Sequence, residues 1–99
     1  MTLQMTKIRH HFPRPRVDDV AAATGAALQP VQDRIRPGES IALTVGSRGI
    51  ANIATIVRTT VERVKACGAS PYIIPAMGSH GGGTAEGQVE VLASYGVTE

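Results

Sequence analysis

The sequence predicts an α/β fold: a parallel, Rossmann-like βαβα unit forming the incomplete amino-terminal part of a larger domain. Three observations predict it. Two short, nearly continuous apolar runs, residues 40–45 and 71–77, suit strands covered on both faces, as in parallel sheets. A long stretch of helical periodicity separates them, which is the pattern of a βαβ crossover, expected to be right-handed. Each run then breaks into a glycine-rich, polar turn, where open parallel sheets bind ligands.

Residues 1–16 read as an irregular basic lead-in, carrying Lys7, Arg9, Arg14 and Arg16 and interrupted by Pro13 and Pro15. Within it, residues 6–12 alternate weakly and could add an edge strand. The adjacent His10 and His11 would point to opposite sides of an extended segment, which argues against chelation of one ion. The α/β domain is expected over 17–99. Its first helical pattern spans 17–35, with Asp18 and Asp19 at the positive end of the helix dipole. Val20, Ala23 or Thr24, Ala27 and Val31 recur at helical spacing, and Pro30 is expected to split the stretch or start a second short helix.

Arg36-Pro37-Gly38-Glu39 is a turn by its proline and glycine, and the first strand follows it. Over residues 50–67, Ile50, Ile53, Ala54, Val57, Val61 and Val64 form one apolar stripe away from Arg58, Glu62 and Lys65. Gly68 follows as the C′ residue. After the second strand and its glycine loop, Thr84 is placed to cap a last helix with Glu86 in its first turn. That helix should turn Val89, Leu92 and Ala93 inward and end near Gly96.

Composition narrows the function. The 99 residues are 42% hydrophobic but include one Phe, two Tyr and no Trp, so aliphatic side chains must fill the core. Burial is inefficient at this length. The chain is therefore expected to pack against the remainder of a parent chain or a second copy. A net charge of +2 with a short, aromatic-poor basic tail argues against a nucleic-acid partner. The single Cys67 excludes an internal disulfide and reads as a half-buried structural thiol. No apolar run is long enough to span a membrane, and no signal-peptide pattern opens the chain, so a cytoplasmic location is expected.

The chemistry is expected where the two strands end. Gly46-Ser47-Arg48-Gly49 and Gly78-Ser79-His80-Gly81-Gly82-Gly83-Thr84 would emerge from the same edge of the sheet. Glycines open the backbone N–H groups to an anion, and the following helix amino termini add positive potential. Arg48 offers a planar fork for a carboxylate or phosphate. His80 is the residue suited to moving a proton near neutral pH, and Ser47, Ser79 and Thr84 add neutral hydrogen bonds. The dinucleotide, P-loop and nucleophile-elbow patterns are all absent. A small anionic substrate follows from either use of these loops, catalytic or purely binding.

The segments 41–50 and 75–88 resemble the amino-terminal domain of the nickel-pincer lactate racemase family, and the likeness runs from about residue 17 to the end. It implies a racemase or epimerase acting on a 2-hydroxy acid or related substrate by hydride and proton transfer. The cofactor would be a nickel pincer mononucleotide. His80 aligns with the family's first catalytic histidine, and Ser47-Arg48 with its Thr-Arg segment near cofactor or substrate. Gly78, Ser79 and Thr84 fall in the same cofactor- and substrate-binding loop. Two positions depart from the family pattern: Val45 stands where an Asp is common, and Gly81 where an arginine follows the histidine. Both leave the substrate unassigned. The second catalytic histidine, the tethering lysine and the nickel-ligand histidine come from later segments of family members, so the chain alone is expected to be inactive. The alternative is a non-catalytic phosphate- or nucleotide-binding α/β module.

Overall fold

The computed structural model describes residues 1–46 and 49–98. Its elements run α1 (Val20–Gln32), β1 (Ser40–Val45), α2 (Ile53–Ala66), β2 (Ser70–Pro75) and α3 (Ala85–Ser94), with a short 3₁₀ turn at His80–Gly83. The protein is thus mixed α/β, with three α-helices on a two-stranded parallel sheet among the described residues. The strands pair in register from Ser40↔Ser70 to Val45↔Pro75, so their carboxyl ends lie side by side.

Helices α1 and α3 begin where a polar side chain satisfies a free amide, whereas Asn52 at the start of α2 makes no side-chain cap bond. Asp19 accepts from the Ala22 N–H at 2.9 Å and caps α1. Helix α1 then runs through Pro30 without splitting, contrary to expectation. Pro30 lies in an exposed position in the last turn, where one missing i→i−4 bond is tolerated. The turn before β1 forms as expected, with the Arg36 N–H donating to Glu39 at 2.9 Å. Helix α2 ends on Cys67 with Gly68 beyond it as C′.

The core gathers Val45, Val57, Met77 and Leu92, backed by Ile53, Val61, Ile73, Val91, Tyr95 and Val97. The stripe expected on α2 supplies much of this, although Ile50 stays exposed. Two expectations about faces fail. The strands are covered on one face only: Ile41, Leu43 and Val45 turn inward, whereas Tyr72 is 50% and Ile74 41% exposed. Helices α2 and α3 cover the same side and α1 packs on α2, so the alternation of a half-buried sheet replaces the two-sided burial expected of a parallel one. On α3, Gln88, Val91, Leu92 and Tyr95 face inward, while Val89 and Ala93 face out. The helix is rotated because Gly87 backs against Gly81, as described below.

Helix α1 docks on α2. Gly25 is buried there, and a Cβ on it would lie 2.5 Å from the Arg63 guanidinium that crosses it. Further along, the Gln32 amide reaches the Cys67 sulfur at 3.8 Å, which fixes the thiol as a half-buried packing group. The α1 residues turned to α2 are Thr24, Gly25, Leu28 and Gln32. Ala23, Ala27 and Val31 of the expected stripe remain uncovered. Residues 1–17 form no regular element and are exposed throughout. They stretch the molecule to 70 Å and its radius of gyration to 19.0 Å. A compact chain of this length would have about 13 Å. No helix among the described residues is long and apolar enough to cross a membrane.

Candidate functional site

The loops after the two strands touch each other. The Ala76 N–H donates to the Val45 carbonyl at 2.8 Å, extending the sheet's pairing one step past β2. Beside it, a Cβ on Gly46 would fall 2.2 Å from the Ala76 carbonyl oxygen, so only glycine permits this approach. The carboxyl ends of β1 and β2 therefore open onto one edge, as the parallel arrangement requires. Ser47 and Arg48, the residues expected to hold an anion there, lie outside the described residues.

His80 stands at the start of the 3₁₀ turn, half-buried, three residues beyond the buried Met77. Its backbone N–H donates to the Met77 carbonyl at 3.1 Å, and its ring Nδ1 bonds to the same oxygen. A carbonyl only accepts, so Nδ1 must carry the proton. In the Nδ1–H tautomer the ring's lone pair is on Nε2, for which no hydrogen-bond partner is found among the described residues. The Nδ1 bond sets the orientation of the ring, as a second-nitrogen bond does in histidines that exchange protons at the other nitrogen.

The surrounding loop is held by three polar contacts. The Thr84 hydroxyl donates to the Gly81 carbonyl at 3.2 Å and accepts from the Gly87 N–H at 3.1 Å. It thus caps α3, as its position predicts, and ties that cap to the turn carrying His80. The Gln88 amide donates to the Gly78 carbonyl at 2.7 Å. Gly81 and Gly87 meet backbone to backbone: a Cβ on Gly81 would sit 2.2 Å from the Gly87 carbonyl carbon. Ser79 is exposed at the rim.

These contacts leave an open cavity of about 500 Å³ lined by Ser79, His80, Gly81, Val91, Ser94 and Tyr95. It joins the glycine loop to the carboxyl-terminal turn of α3. Gln88, Ser94 and Tyr95 were not legible as site residues. The available signal was Gly87, a glycine in the first turn of a helix, which marks a close backbone approach. Ser94 is engaged with its own helix, donating to the Val91 carbonyl at 2.6 Å. The arrangement combines the His80 imidazole, the exposed Ser79 and an apolar wall from Val91. It suits a small polar molecule with one apolar side. Among the described residues, no three His, Cys, Asp or Glu side chains lie together as a metal-binding group. No family model, curated protein or solved structure matches this chain.

Proposed function

We propose that this chain is the histidine-bearing amino-terminal part of a nickel-pincer-dependent racemase or epimerase, acting on a 2-hydroxy acid or related anionic substrate in the cytoplasm. The observation that carries the reading is the Met77 carbonyl bound to Nδ1 of His80, a residue that lines an open cavity, which leaves proton exchange to Nε2. The parallel pairing of β1 and β2, whose outer edges are unpaired among the described residues, supports a Rossmann-like sheet that continues beyond these strands.

No three metal-ligating side chains converge among the described residues, so nickel ligation is assigned to none of them. Nickel ligation and cofactor attachment belong, on the family resemblance, to other segments. This chain's own share is proton handling. Nε2 of His80 takes the substrate hydroxyl proton and returns it, the loop glycines admit the substrate's anionic group, and Ser47-Arg48 bind that group from the β1 side.

The test is made in the full-length protein that carries this chain. His80→Ala should lower turnover by at least about 100-fold, the usual worth of a general base, while cofactor loading persists. Turnover equal to that of the parent would end the assignment. Saturable binding of inorganic phosphate or a mononucleotide to a chain with no racemase activity in any context would favour the binding-module reading instead.

A further inference from the structure

We infer that residues 6–12 form a third parallel strand that docks on the open edge of β1, closing the β-α-β unit in which α1 is the crossover helix.

Four observations meet at this edge. First, five consecutive residues of and beyond β1, Ala42 to Gly46, line one groove together with Ile53, Ile56 and Thr60 of α2. Residues from both faces of a strand share a groove only when it runs along the strand's edge, where the N–H and C=O groups are unpaired. The groove is mostly apolar and holds about 380 Å³.

Second, α1 already lies where a crossover helix for that strand belongs. It packs on the side of α2 toward the β1 edge, and Ile56 lines both the groove and the neighbouring cleft under α1. The stripe Ala23, Ala27 and Val31 is left exposed on α1, with Val31 at 52%. A right-handed connection from a strand beside β1, through α1, into β1 places all the helices on one face. That is the face α2 and α3 cover, and α1 packs on α2.

Third, the tail has a strand's pattern. Residues at i and i+2 of an extended chain share a side. His10 and Phe12 do so here, their rings stacked at 4.1 Å between centroids. Ile8, His10 and Phe12 thus form one side, and Lys7, Arg9 and His11 the other. Ile8 and Phe12 stand 81% and 71% exposed, although both are apolar. Docked, they enter the groove against Ile53 and Ile56 while the basic side stays in water. Pro13 and Pro15 follow directly, and proline ends a ladder because it has no N–H to give.

Fourth, the chain reaches. Residues 15–18 already lie against Ala51, Asn52 and Ile56, near the start of α2 and hence the carboxyl end of β1. A strand ending at Phe12 and running parallel to β1 finishes at that same end.

The experiment is amide hydrogen exchange on the whole chain across a concentration series, with Ile8→Asp and Phe12→Asp melted alongside. Docking in the same molecule predicts that amides of residues 8–12 exchange at least about tenfold more slowly than those of 2–5 at every concentration. It also predicts that each substitution lowers Tm by roughly 4 °C or more. Equal exchange in the two stretches, or variants that melt with the parent, overturns the inference. Protection that vanishes on dilution also overturns it, because the strand would then be lent to a second copy.

Discussion

At the level of single residues, His80 owes its chemical form to one carbonyl. The Met77 oxygen can only accept, so the neutral ring must protonate at Nδ1. Nitrogen-15 spectra of the imidazole should therefore show the Nδ1–H tautomer. An Nε2–H tautomer would remove the free lone pair on which the proposed proton transfer depends. Gly81 is the second residue whose identity is set by contact. Its φ of +61° is left-handed, and a Cβ would strike the Gly87 backbone. Gly81→Ala should cost about 1–3 kcal/mol of unfolding free energy, as overpacking against rigid backbone does. Gly82→Ala, with a similar φ of +70° but nothing within reach of a Cβ, should cost only about 1 kcal/mol. Urea titration of both variants separates the effects; equal losses would mean that the Gly81–Gly87 contact adds nothing.

At the level of elements, the decisive joint is the one between the glycine loop and α3. Thr84 was readable as a cap, because a hydroxyl residue before an apolar helix satisfies a free amide. What it also does, donating to the Gly81 carbonyl, depends on the turn's three-dimensional path. Thr84→Ala should destabilise the chain by about 1 kcal/mol and speed amide exchange at Gly87 in particular, while Thr84→Ser should retain most of the protection. Unchanged exchange in the alanine variant would show that the cap is idle. Strand and helix boundaries followed periodicity closely: β1 and α2 fall where apolar spacing puts them. The inward face of α3 did not, because a single glycine contact rotates the helix by an amount that spacing alone does not encode. The path of α1 through Pro30 is likewise a matter of position, since a proline in an exposed last turn costs little continuity.

At the level of the whole molecule, the core is small. Leu92, 3% exposed, joins α3 to Val45, Val57 and Met77. Leu92→Ala should cost about 2–5 kcal/mol, a large share of what so short a chain possesses. Thermal unfolding of the parent and variant measures it, and a loss under about 1 kcal/mol would mean that the core collapses around the cavity. Among the described residues two strands serve three helices, which leaves the sheet face bearing Tyr72 and Ile74 bare and the outer strand edges unpaired. The apolar runs announced strands suited to burial on both sides. The number of layers covering them is a property of the assembled fold.

The sequence by itself determined the α/β class, the two parallel strands, the capping threonine and the glycine loop that carries His80. All of these rest on local rules, namely side-chain periodicity, backbone freedom and the need to satisfy helix-end amides. Only the tertiary structure decided which nitrogen of His80 is free, which side of α3 lines the cavity, and which sheet face is left open. These depend on a carbonyl oxygen, a backbone contact and a helix placement, each supplied by chain that is remote in sequence or folded back in space.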